Sequence, residues 1–223
     1  VKDVYVAFIE YAHQLLCKSG YFGFIIPSAW LGGPRFLTLR EFFLKFKLHS
    51  IIQLPFDIFK DAYVDTLIIT TQNESPSGNH QVLTYEYPKK EKIAHISLDK
   101  LNTYKIKQIS WKKIDDSKFI LDQSFIDIAI KVFERSKICI KDIYEMKRGV
   151  LFDKSLLPEH KKSSNYYRYF EGSIYRYQSI INTPLWVEFG PKMKEYPKDI
   201  KWFVGERILL RRLVNRRKRL MAS

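Results

Sequence analysis

The chain has 223 residues, of which 46% are hydrophobic and 28% charged, a balance that excludes general disorder. No apolar run approaches the roughly 20 residues needed to cross a bilayer, so no membrane span and no membrane partner are expected. Lys and Arg number 38 against 24 Asp and Glu, and the only cysteines, Cys17 and Cys139, exclude a disulfide framework or a cysteine zinc cluster. Residues 3–17 (DVYVAFIEYAHQLLC) predict a helix, with Tyr5, Phe8, Ala12 and Leu15 at helical spacing and Gly20 suited to a left-handed stop. The run YFGFII at 21–26, ended by Pro27, predicts a strand buried on both faces, as in a parallel sheet. Gly32-Gly33 marks a loop. Pro34 then opens a second helix over about 34–47, with Phe36, Leu39, Phe43 and Phe46 on one face. Residues 50–54 and 64–71 are β-rich and read as a hairpin-like pair joined by PFDIFKDAY.

Residues 73–80 (NESPSGNH) have the composition of a linker. Strands are expected at 81–87 and 93–98, and an amphipathic helix at 123–135 with Asp122 as its N-cap. After residue 138 the chain is irregular, with scattered glycines and many Tyr and Arg. Charge follows the same division. Residues 1–73 hold 7 Lys/Arg against 6 Asp/Glu, residues 74–223 hold 31 against 18, and residues 201–223 hold 8 against 1. A basic remainder with 15% aromatic residues over the whole chain points to a polyanion with stackable bases, duplex DNA or another nucleic acid. The alternative is a set of solvated lysine-rich faces. The chain starts Val1-Lys2-Asp3 without Met and ends just after an apolar run, so it is expected to be a portion of a longer protein. Nothing near Val1 has the pattern of a signal peptide, and a cytoplasmic setting is expected.

Several strings carry a family pattern: D-V-Y-V-A-F-I-E at 3–10, K-S-G-Y-F-G-F-I-I-P-S-A-W-L at 18–31, L-R-E-F-F-L at 39–44 and I-F-K-D-A-Y-V-D-T-L-I-I at 58–69. Downstream stand E-M-K-R-G-V at 145–150, Y-F-E-G-S-I-Y-R-Y at 169–177 and R-I-L-L-R-R-L at 207–213. In this order they resemble TaqI-type adenine-N6 DNA methyltransferases, including the Eco57I-like type IIG restriction-modification enzymes. The resemblance covers most of the chain except about 74–120. It implies an α/β fold for 1–73, the second half of a Rossmann-like S-adenosylmethionine-dependent methyltransferase sheet ending in an antiparallel strand pair. Residues 74–115 would be a linker and strand extension. Residues 116–223 would begin an α+β, TaqI-like DNA-specificity domain.

The family's cofactor loop and its Asn-Pro-Pro-Tyr catalytic motif precede the matched region, and no Asn-Pro-Pro, Asp-Pro-Pro or Ser-Pro-Pro occurs in the 223 residues. The resemblance therefore implies that S-adenosylmethionine is bound mainly by the rest of the parent chain, which is an expected partner, and that this chain alone is inactive. A lone strand neighbour is also expected for 21–26, since 50–54 and 64–71 fall on the same side of it in the family's order. Phe59 occupies the position of the aromatic that stacks on the flipped adenine, and Lys60 beside it could meet a backbone phosphate. The alternative is that Phe59 is core and Phe56 the exposed ring. Phe8 matches the aromatic placed against the adenine of the cofactor, although its helical position also suits core packing. Lys147, Arg148, Arg176, Arg211 and Arg212 lie in the specificity-domain strings and are the candidate DNA contacts.

Other patterns carry less. Asp199-Ile200-Lys201 has nuclease-like spacing, with Glu188 as the candidate second carboxylate that a strand pair would have to bring in, and the five histidines form no ligand pair, so no metal is expected. Two rival functions remain at this point: a non-catalytic DNA-binding specificity module, and a nucleic-acid-binding protein without sequence preference.

Overall fold

In a computed structural model of the chain, residues 3–55, 58–59, 64–88, 93, 95–99, 101–136, 138–169, 174–175, 178–179 and 184–210 are described. The chain divides into two compact units, 1–138 and 139–223.

The first unit runs α1 (Val4–Leu15), β1 (Tyr21–Pro27), α2 (Leu37–Phe43), β2 (Lys47–Gln53), β3 (Thr66–Gln72), β4 (Gln81–Glu86), β5 (Asn102–Lys107), a single turn α3 (Ile109–Lys112) and α4 (Gln123–Arg135). The strands form one mixed sheet in the order β1-β3-β2-β4-β5. β3 is antiparallel to both its neighbours, so β1 and β2 run the same way; β4 is parallel to β2, and β5 antiparallel to β4. This is an α/β unit with a mixed sheet.

Strand β1 departs from its expected burial. Phe22, Phe24 and Ile26 face the core, whereas Tyr21 remains 67% exposed and Ile25 is also exposed. Among the described residues its one strand partner is β3, so it lies at the edge of this sheet with β3 and β2 on the same side. The one-sided neighbour agrees with expectation, while burial on both faces does not. An apolar run alone does not distinguish the two, because side chains alternate between faces whatever their type.

The helix ends also differ. The left-handed residue after α1 is Ser19 (φ 62), one position before Gly20. Gly20 is needed for closeness instead: a Cβ there would meet the Cys17 carbonyl at 3.0 Å. The second helix starts as a 3-10 turn at Pro34–Phe36 and α2 stops at Phe43, because the chain must turn to enter β2 at Lys47. Among the described residues of 93–98 no strand forms. Both Ser97 N–H and Ser97 carbonyl bond the Tyr87 hydroxyl, at 2.8 and 2.6 Å, and the pairing strand comes later, at Asn102–Lys107.

The expected boundary at 115/116 is replaced by one at 138/139. Phe119 stacks on Trp111 at 4.3 Å and meets Trp30 at 5.0 Å, the Trp111 indole donates to the Ile120 carbonyl at 2.8 Å, and Thr84 Oγ1 donates to the Leu121 carbonyl at 2.7 Å. These contacts tie 119–121 to the sheet. Helix α4 follows, started by Asp122, whose carboxylate accepts from the Ser124 N–H at 2.8 Å as the sequence predicts, and it buries Ile126 in the same core.

Among its described residues the second unit has little regular structure: α5 (Ile140–Ile143), β6 (Tyr166–Arg168) paired with β9 (Trp186–Glu188), and β7 (Ile174–Tyr175) paired with β8 (Gln178–Ser179). Val187 and Met193 are its buried apolar residues among those described.

Candidate functional site

The carboxyl ends of β1 and β2 lie at one end of the sheet, where Pro27 pairs with Thr66 and Gln53 with Leu67. The loop 54–65 leaves β2 there and returns into β3, and Ser28 N–H donates to the Asp65 carbonyl at 2.8 Å across this end. Such strand ends are where open α/β sheets place their ligands. Phe59 sits in this loop and is 43% exposed, while its neighbour Ile58 packs against the small cluster of Ile52, Leu54 and Tyr87. The exposed ring is thus at Phe59; Phe56 lies outside the described residues.

Helix α1 runs back along the sheet. His13, near its C-terminus, packs at 4.5 Å from Phe22 at the start of β1, and Tyr5, near its N-terminus, stacks on Phe36 at 6.3 Å, beyond the end of β1. The N-terminal half of α1 therefore reaches the end of the sheet that carries the 54–65 loop. Ile9 and His13 face inward, and Val4, Phe8, Tyr11 and Leu15 form an outward stripe. Phe8 is 60% exposed, so its ring is available to a ligand and is not core. Tyr5 packs against the core, and its hydroxyl has no hydrogen-bond partner among the described residues. Burial, with a smaller contribution from Asp3, pushes that hydroxyl up to about 12.

The basic candidates divide. In the second unit Lys147 lies exposed, its ammonium 4.8 Å from the centre of the Trp202 ring. Arg148 is exposed but paired with Glu195 at 3.0 Å. Lys60, Arg176, Arg211 and Arg212 lie outside the described residues. Asp199 caps a 3-10 turn by accepting from the Lys201 N–H at 2.9 Å and pairs with the Lys201 ammonium at 3.5 Å, which is a structural role. No group of three or more metal-ligating side chains occurs among the described residues.

One feature of the second unit has no local sequence signature. A cleft of about 320 Å³ is lined by Leu157, Val187 and Met193, with Lys162 and Lys192 also lining it. Tyr166 and Glu188 line it too, from directly opposed positions of β6 and β9. Glu188 Oε2 accepts from the Lys192 ammonium at 2.8 Å and from the Tyr166 hydroxyl at 3.2 Å. The Lys192 hydrogen bond holds the Glu188 carboxyl below the usual carboxylate range, and desolvation followed by Glu188 raises the Tyr166 hydroxyl.

Comparison with known proteins adds sequence evidence. Residues 1–59 match the family described as Eco57I restriction-modification methylase. Across 99% of its length the chain is 36% identical to a Methanocaldococcus jannaschii protein provisionally named as a type II restriction enzyme and methyltransferase, RM.MjaORFECS2P. The chain spans 19% of that relative's length. Among solved structures, it is similar to the type IIG restriction endonuclease BpuSI, at 17% identity over 52% of this chain and 15% of that one, TM-score 0.40. It is also similar to a class I S-adenosylmethionine-dependent methyltransferase assigned in Listeria monocytogenes, at 24% identity over 37% of this chain and 26% of that one, TM-score 0.33.

Proposed function

We propose that these residues form part of a restriction-modification DNA methyltransferase that transfers a methyl group from S-adenosylmethionine to adenine N6 in duplex DNA. The observation that carries this reading is the 36% identity to a relative named as a restriction enzyme and methyltransferase, which continues through both compact units. The exposed rings of Phe8 and Phe59 at the carboxyl end of the sheet support it. S-adenosylmethionine, when bound, supplies an electrophilic methyl group. Phe8 offers its ring to the cofactor's adenine. A duplex hides adenine N6 inside the stack, so the base must leave it, and Phe59 gives the extruded base a new stacking face worth about 1–3 kcal/mol. Lys60 meets the adjoining phosphate. The second unit, with Lys147, Arg148, Arg176, Arg211 and Arg212, supplies DNA contacts.

The test uses the 223 residues and the full gene product that contains them, each incubated with tritiated S-adenosylmethionine and plasmid DNA, with the modified nucleoside identified after digestion. The full product is expected to yield N6-methyladenine and the 223 residues alone none. A methylated cytosine would overturn the adenine assignment, and methylation by the 223 residues alone would overturn the division of labour. Phe59→Ala in the full product should lower the methylation rate at least tenfold on normal duplex, and less when the target adenine faces a mismatch, because flipping is then easier.

A further inference from the structure

The cleft in the second unit is unaccounted for by the reading above. Its volume of about 320 Å³ is at the small end of the roughly 300–1,000 Å³ range of small-molecule sites. Its chemistry is mixed in a specific way. Leu157, Val187 and Met193 supply apolar wall, with Val187 and Met193 buried. Lys162 and Lys192 supply two positive charges against the one negative charge of Glu188, so an anion is favoured over a neutral ligand. Glu188 is already fixed in place: among the described residues both its hydrogen bonds reach Oε2, from Lys192 and Tyr166. Oε1 is left to accept a donor from a ligand. A ligand that suits all three features has an apolar face, a hydrogen-bond-donating edge and an anionic group.

We propose that this cleft binds one unstacked nucleotide, with the base against Val187 and Met193, its exocyclic amino group donating to Glu188 Oε1, and its phosphate met by Lys162 and Lys192. The proposal rests on DNA being the partner of the second unit, and adds a single-nucleotide site lined by residues of that unit. Thymine is disfavoured. Its only edge donor lies between two carbonyls, which the Glu188 carboxylate repels, whereas adenine, cytosine and guanine each carry an amino group.

The experiment uses the whole 223-residue chain, with titration calorimetry for dAMP, dCMP, dTMP, deoxyadenosine and inorganic phosphate, beside gel shifts with duplex DNA. The expected result is binding of dAMP and dCMP about tenfold tighter than dTMP, the size of one hydrogen bond to a charged acceptor. Lys162→Ala should weaken every monophosphate about equally and leave deoxyadenosine unchanged. Glu188→Ala should abolish the preference over dTMP. Met193→Trp should fill the cleft and remove nucleotide binding, with circular dichroism as the check on folding; if that variant does not fold, the two milder ones decide. Duplex binding without any nucleotide binding would overturn the cleft while leaving the DNA partner intact. Equal binding of inorganic phosphate and dAMP would reduce the site to a simple anion contact and overturn the proposal. Absence of duplex binding with retained nucleotide binding would instead count against the DNA reading of the second unit.

Discussion

The Arg40 side chain is fully buried and bonded to main-chain oxygens. Its Nη1 donates to the carbonyls of Trp30 and Gly33, both at 2.7 Å, and its Nε to that of Asp116 at 2.9 Å. Burial lowers its pKa, but a guanidinium remains charged throughout the working range. One residue thus fastens the loop after β1 to the 115–117 turn, where Asp116 and Ser117 both have positive φ. Arg40→Ala takes a charged donor from the carbonyls of Trp30, Gly33 and Asp116, leaves the buried Trp30 carbonyl without that bond, and is expected to cost about 3 kcal/mol or more. Arg40→Lys should recover only part of that, since an ammonium cannot reproduce the planar fork. Urea midpoints of the two variants check both statements. Gly33 is constrained by the same packing. A Cβ there would lie 2.6 Å from the Ala29 carbonyl and 2.8 Å from the Phe36 ring. Gly33→Ala should therefore cost about 1–3 kcal/mol by overpacking, whereas Gly32→Ala, which meets nothing within 4 Å, should be nearly neutral in the same melts.

At the scale of the element, α1 is docked through His13. Ile9's carbonyl can only accept, so Nδ1 carries the proton and donates to it at 2.8 Å, and Nε2 accepts from the Thr71 hydroxyl at 3.0 Å. The rings of Phe22 and Phe46 lie at 4.5 Å and that of Phe42 at 5.2 Å, and burial pushes the His13 pKa down. The unfolded chain therefore takes up a proton first as pH falls. The contribution of neutral His13 is complete above its unfolded value of about 6.5 and is lost progressively as pH falls below it toward the depressed folded value. Thermal melts from pH 8 to 5 should show this decline, and His13→Gln should flatten that part of the profile; an unchanged slope would remove His13 as its source. None of this is legible in the helical spacing of 3–17, which gives a helix but not its partner. The same limit recurs elsewhere. The Asp122 cap and helix 123–135 were readable because a cap and its N–H are two residues apart. The attachment of 119–121 depends on Trp30, Thr84 and Trp111, and the choice of 102–107 over 93–98 as the strand depends on pairing with 81–86. Family resemblance points to Phe8 and Phe59, but their exposure is a property of packing. The cleft was invisible because Leu157, Tyr166, Val187 and Met193 share no motif or period.

For the whole molecule, the structural boundary sharpens the charge argument. Residues 1–138 hold 19 Lys/Arg against 15 Asp/Glu, and residues 139–223 hold 19 against 9, so the net charge is +4 in the first unit and +10 in the second. Arg148 stands in an exposed pair with Glu195, and Lys192 is bound to Glu188, so formal charge overstates the free positive charge of the second unit. An exposed pair of this kind contributes only about 0–1 kcal/mol, small enough for a phosphate to displace. DNA binding by the 223 residues should therefore weaken steeply with salt. If six or more phosphates are neutralised, affinity falls about a thousandfold or more between 50 and 200 mM salt, with a log–log slope near −0.9 per phosphate. Lys147→Ala should make that slope shallower by about 1, because it removes an exposed cation that stands beside Trp202 with no acidic partner among the described residues. Arg148→Ala should change it by no more than the same amount and should alter stability by less than about 1 kcal/mol. Glu195→Ala gives the opposite sign: freeing Arg148 should tighten duplex binding at low salt and steepen the slope. Gel shifts over a salt series separate these cases, and a slope near zero for the unaltered chain would show that the basic second unit does not act through phosphate contacts.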